Sequence, residues 1–125
     1  MAGLLRARGF DNVLIDMGEI AAIGRNHGTP WKAQVATPDG DVAGSLTLAD
    51  RCLAVSAPGG TKLCGISHIL EPRKGLTAST RKLAAVSADT AALAEGLSTA
   101  CCLLDDPAAL EAVATFSDAR LETLI

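Results

Sequence analysis

The chain of 125 residues contains no tyrosine, two phenylalanines and one tryptophan. Phe10, Trp31 and Phe116 are too few and too scattered to stack successive bases. No basic stripe runs along the sequence, and 11 Lys and Arg against 14 Asp and Glu leave a net charge of −3, which argues against a nucleic-acid partner. No stretch approaches the ~18–20 apolar residues that a membrane span needs. The first residues lack the long apolar segment of a signal peptide, so the chain reads as cytoplasmic. The four cysteines, Cys52, Cys64, Cys101 and Cys102, form no CxxC pair. They read as small core or near-surface residues of a reducing compartment, with a Cys52–Cys64 disulfide as the alternative. A glycine-rich phosphate loop of the GxGxxG or Walker type is missing, and no Ser-His-Asp or Cys-His arrangement can be argued.

What the sequence does hold is aliphatic: 49% of it is hydrophobic, mostly Ala, Leu, Val and Ile. That is enough for the core of one domain or part of one. Residues 2–8 read as a short helix ended by Gly9. Residues 12–16 form a branched apolar run expected as a buried strand, and 20–23 resume as a second strand after Gly18. A polar loop containing His27 leads to Trp31, where alternation over 31–37 predicts a half-exposed strand. Pro38-Asp39-Gly40-Asp41 then signals a hairpin into a strand over 42–48. Residues 51–56 read as another strand, 62–69 as one more, and 82–87 as a further one, with a small polar loop over 75–80. Residues 89–104 predict a long helix. A second helix follows over 108–115, with Asp106 as its N-cap and Pro107 at its first position. Residues 119–125 are expected to close as a short strand. Strands in series followed by helices predict an α+β fold: a mixed, mostly antiparallel sheet with helices packed on it, in a single domain over 1–125. The chain enters a sheet almost at once, so much apolar surface needs cover; a homo-oligomer or a missing N-terminal half would supply it.

Few residues are placed to do chemistry. His68 stands beside Ser67 at an expected strand end, followed by Glu71-Pro72-Arg73-Lys74; proline biases Glu71 towards extended backbone. Arg73 and Lys74 suit a phosphate, the first as a planar fork and the second as a point charge. An ordinary polar strand end accounts for the same residues. Glu95 and Thr99, four apart on the long helix, share a face and offer oxygen ligands suited to Mg²⁺. A solvent-facing Glu and a Thr bonded back to the helix are the alternative. Gly18, between Asp16 and Glu19, permits either close approach of a ligand or a plain turn. Trp31 reads as a core or rim residue.

Taken in order, the segments NVLIDMGEI, PWKAQV, RCLAVSA, SHILEPRKG and AEGLSTA resemble one family, the ApbE-like FAD:protein FMN transferases. SHILEPRKG is similar to its His-Ile-Ile/Leu-Asp-Pro-Arg-Thr-Gly signature, and AEGLSTA to its Ala-Asp-Ala-Leu-Ala/Ser-Thr-Ala helix. The resemblance runs over almost the whole chain and matches the C-terminal portion of the family. It implies an ApbE-like (T-fold-like) half domain and transfer of FMN from FAD, with Mg²⁺, to a Thr or Ser of an acceptor protein, releasing AMP. By that resemblance Glu95 and Thr99 fall on metal-binding positions and His68 on a catalytic one near the pyrophosphate, as base or phosphate ligand. Gly18, Ser56, His68 and Arg73 fall on the flavin-binding side. The family's metal Asp is Glu95 here, its turn Asp is Glu71, its following Thr is Lys74, and its Gly-Gly pair is reduced to Gly18. These departures carry an alternative: a non-catalytic flavin- or nucleotide-binding, or structural, relative that dimerises.

Overall fold

A computed structural model describes residues 1–73, 79 and 81–125. It contains, in chain order, α1 (Ala2–Arg6), β1 (Val13–Asp16), β2 (Ile20–Ile23), β3 (Trp31–Ala36), β4 (Val42–Leu48) and β5 (Arg51–Ser56). These are followed by β6 (Lys62–Leu63), β7 (Ile66–Ser67), β8 (Ala84–Ala88), α2 (Ala91–Cys101), α3 (Asp106–Ala114) and β9 (Arg120–Leu124). Five strands make one antiparallel sheet in the order β1-β2-β5-β8-β9, while β3–β4 and β6–β7 are separate hairpins. The α+β class follows from the sequence as expected. Apart from Ser79, the loop expected over 75–80 lies outside the described residues, as does Lys74.

Strand alternation divides the core in two. Ala54 of β5 packs with Ala88 and Ala94 under α2, whereas Leu53 and Val55 point to the opposite face, against β3–β4. On β8, Ala84 and Val86 meet Leu97, Cys101, Ala109 and Val113 of the helices. Leu83 and Ala85 join Val35, Leu48 and Trp31 beneath the hairpin. Leu53 and Leu83, at 1% and 0% exposure, are each worth about 2–3 kcal/mol against an exposed side chain. The small side chains of β8, all buried, leave room for α2 to lie close on the sheet. Trp31 is the rim residue its position predicts: half-buried, with Nε1 donating to the Ile23 carbonyl at 3.1 Å.

Three expectations need correction. Residues 62–69 are a two-residue hairpin, with Cys64 at φ 50° and Gly65 at φ 81° between Leu63 and Ile66. Two consecutive positive φ values define the type I′ turn, which matches strand twist and which glycine adopts without a steric penalty. The N-cap of α3 is Asp105, whose carboxylate accepts from Ala108 N at 3.0 Å, so the helix starts one residue before Pro107. Finally, β1 alternates between half-buried and exposed because it is the sheet's edge strand, with no layer over both faces. All four cysteines are free; Cys52, Cys101 and Cys102 are buried and Cys64 is exposed. Among the described residues no helix is long and apolar enough to cross a membrane.

Candidate active site

α2 sets the geometry. Thr90 caps it, its side chain accepting from Leu93 N, and β8 feeds it from the far end of the sheet. The helix therefore returns towards the end of β5, and Ser98 and Thr99 arrive over Ser56. The Ser56 hydroxyl lies 2.8 Å from Ser98 Oγ and 3.0 Å from Thr99 Oγ1. Thr99 Oγ1 in turn lies 3.3 Å from Glu95 Oε1, one helical turn back, and Ser98 Oγ donates to the Glu95 carbonyl at 3.1 Å. Ser56 and Ser98 are buried, at 5% and 0% exposure, whereas Glu95 and Thr99 are half-buried and reach the rim. Three residues singled out in the sequence, Ser56, Glu95 and Thr99, are thus brought together. Ser98 was missed. Its signal is its place on the apolar stripe Ala94, Leu97, Ser98, Cys101: a hydroxyl there is buried and must find a partner.

The cluster is short of protons. Its three hydroxyls carry three protons, an ionised carboxylate adds none, and there are four oxygen–oxygen contacts. One of the four contacts therefore has no proton of its own, which a cation on the cluster would relieve. Hard oxygen donors with surplus lone pairs fit a hard cation such as Mg²⁺. Among the described residues no three His, Cys, Asp or Glu side chains group as a metal site. Glu95 and Thr99 are the side chains here that could hold such an ion, which commonly completes its shell with water and substrate phosphates.

The β6–β7 hairpin holds His68. Its Nδ1 lies 2.9 Å from the Thr61 carbonyl, and its backbone N donates to the same oxygen at 3.3 Å. A carbonyl only accepts, so Nδ1 carries a hydrogen, and Nε2 is the ring nitrogen left to accept one. Next to it, buried Ser67 accepts from Ile69 N at 3.0 Å, and Ile69 packs against Leu97, Cys101 and Cys102. His68 is thereby tied to the helix that carries Glu95 and Thr99, although it shares no hydrogen bond with their cluster. Arg73 is exposed, and its backbone N donates to Glu71 Oε1 at 3.1 Å, so Glu71 caps its own turn. Gly18 sits in the β1–β2 turn at φ 106°, where an added Cβ would meet nothing within 4 Å. Its backbone freedom serves the turn. The pairing of Ile20 with Leu53 puts that turn at the same end of the sheet as Ser56.

Beyond Ser56, a pocket of about 360 Å³ opens between the β3–β4 turn, the loop at Pro58-Gly59 and the β6–β7 hairpin, with Lys62, Arg81 and Lys82 against Asp39 on its wall. Beneath the cluster, Cys102 Sγ donates to the Ser56 carbonyl at 3.3 Å, and burial pushes its thiol up to about 11. Such a thiol stays protonated and is no nucleophile.

The ApbE family matches residues 1–125. The chain belongs to the ApbE family. No curated protein sequence matches it. Solved structures do. The ApbE protein from Thermotoga maritima superposes with a TM-score of 0.75 at 28% identity, covering 96% of this chain and 44% of its own. For the flavin transferase ApbE from Vibrio cholerae the TM-score is 0.71 at 25% identity, over 89% of this chain and 39% of that one. The apo form of the Pseudomonas stutzeri flavinyl transferase ApbE shares the fold, with a TM-score of 0.73 at 23% identity over 99% and 43%. This ApbE-family chain therefore spans less than half the length of the solved relatives it matches.

Proposed function

We propose that this chain forms the C-terminal portion of a Mg²⁺-dependent FAD:protein FMN transferase, with residues 1–125 as one domain. The observation that carries the reading is the proton-poor cluster of Ser56, Ser98, Thr99 and Glu95 at the sheet end. Glu95 and Thr99 would hold Mg²⁺, which when bound neutralises the pyrophosphate of FAD. Lys62 and Lys82 on the neighbouring pocket favour the same polyanion. Nε2 of His68, the ring nitrogen not committed to Thr61, accepts the proton of a Thr or Ser hydroxyl on the acceptor protein. The acceptor oxygen bonds to the FMN phosphorus as the bond to AMP breaks, in the manner of phosphoryl transfer. Gly18, the end of β5 at Ser56, and Arg73 form this chain's share of the flavin cleft. The rest of the fold supplies the remaining wall. Leu4, Phe10, Leu14 and Met17, all exposed around α1 and the β1 edge, support a further packed layer there, from a second copy or from the rest of the fold.

The test is incubation with FAD, Mg²⁺ and a Thr-bearing acceptor peptide, alone and with the complementary portion of a family member added. AMP release with a flavinylated peptide is expected in the complemented reaction. Absence of AMP in both would overturn the reading. Quenching of flavin fluorescence without turnover would instead mark a non-catalytic flavin-binding relative.

A further inference from the structure

We propose that Ser56 and Ser98 are positioning residues that aim the lone pairs of Thr99 outward, at a cation held with Glu95. The inference rests on the metal reading above and goes beyond it, assigning the buried hydroxyls a direction. With no cation, the four contacts of the cluster compete for three protons. Thr99 then has two places for its proton, Glu95 Oε1 at 3.3 Å and Ser56 Oγ at 3.0 Å. A cation on Glu95 and Thr99 removes the first choice. Thr99 then donates to Ser56, Ser56 to Ser98, and Ser98 to the Glu95 carbonyl. Three protons now serve three bonds, all running one way, and end on a carbonyl that can only accept.

The geometry gives this chain no slack. Ser98 is fully buried on the inner face of α2, and the Ser56 hydroxyl is turned into the helix, away from solvent. The Ser56 backbone is fixed as well, by its pairing with Ala84 and by the Cys102 thiol on its carbonyl. Ser56 therefore acts on the metal site through Thr99. Loss of such supporting hydrogen bonds behind a metal ligand commonly weakens metal binding by about 10–100-fold.

The experiment measures Mn²⁺ binding to the chain by electron paramagnetic resonance, with the fold checked by circular dichroism and thermal unfolding. Ser56→Ala leaves Thr99 only Glu95 as a proton acceptor, so its dissociation constant for Mn²⁺ should rise about ten-fold. Ser56→Thr keeps the hydroxyl and should stay within about two-fold of the starting protein. Ser56→Cys, nearly isosteric and a poor donor, covers the case in which the alanine variant does not fold; it should lose about as much as alanine. Folded Ala or Cys variants that bind Mn²⁺ like the unaltered chain overturn the inference and leave the metal reading standing. Equal losses in the Thr and Ala variants also overturn it, because the hydroxyl is then not what matters. An unaltered chain that binds no Mn²⁺ overturns the metal reading itself, and this inference with it.

Discussion

Strand β5 carries a polar network at each end, and the two are built on opposite rules. At its start, Arg51 donates from Nε to Ser87 Oγ at 2.8 Å and from Nη2 to the Ser87 carbonyl at 3.0 Å and the Asp118 carbonyl. Its Nη1 lies 3.5 Å from Asp89. Ser87 Oγ donates in turn to Oε1 of Glu122, the extra residue of a bulge where Ala85 pairs with Thr123 and Val86 with Leu121. Three of the guanidinium's five fixed donors make hydrogen bonds and a fourth faces Asp89, so every contact in this network has its own proton. At the other end, Ser56, Ser98, Thr99 and Glu95 have more acceptors than protons. The first arrangement is complete and needs nothing from outside. The second has one contact more than it has protons, which is the feature behind the proposed cation. A polar cluster is thus better judged by its donor and acceptor count than by its polarity.

The contrast can be broken at the closed end first. Arg51→Ala strands the Ser87 and Asp118 carbonyls and should cost about 3 kcal/mol of stability by urea unfolding, with Mn²⁺ affinity unchanged within about two-fold. A fall in Mn²⁺ affinity matching that of Ser56→Ala would mean that the two ends are one network.

A second handle is pH. The Cys102 thiol, which donates to the Ser56 carbonyl, is raised by burial from 9.0 to about 11. Between those values the unfolded chain has already lost the proton that the folded chain keeps. Stability is therefore whole below about pH 9 and falls as pH rises towards 11, by roughly 2–3 kcal/mol. Burial also raises Cys52 and Cys101, in the same direction. Thermal unfolding across this range should show the decline, and Cys102→Ala should flatten much of it. An unchanged slope in that variant would assign the decline elsewhere.

The smallest effect is the most diagnostic. Glu95→Gln brings N–H donors into a cluster that lacks one, and should leave stability unchanged or raise it by up to about 1 kcal/mol. It also removes the charge a cation requires, so Mn²⁺ binding should be lost. A clear loss of stability in this variant would show the cluster to be as closed as the one at Arg51.

Much of this was legible in the residues. Alternation gave β3, the Pro38-Asp39-Gly40-Asp41 turn led from it into β4, and i,i+4 spacing put Glu95 and Thr99 on one face. Other features were hidden for physical reasons. Cys64-Gly65 reads as part of a strand because Cys is a small apolar residue rarely found at positive φ. Asp105 and Asp106 are equally good caps by type, and only the backbone decides between them. Ser98 hides in an alanine-rich helix, since its burial depends on what β5 brings beneath it. The pairing of Ser56 with α2 is likewise a tertiary fact: the two residues stand 42 apart in sequence.

An exposed hairpin is ordinarily where a chain absorbs insertions and deletions without harm. The Cys64-Gly65 hairpin should not tolerate them. Its two-residue length sets the pairing of Lys62 with Ser67, and so brings His68 back to the carbonyl of Thr61. One residue more that slipped the register would turn Ile66 and Ser67 to opposite faces. His68 would lose its anchor and Ser67 its burial, with no buried atom touched. The turn is a ruler, and its length is as much a part of the site as any side chain in it.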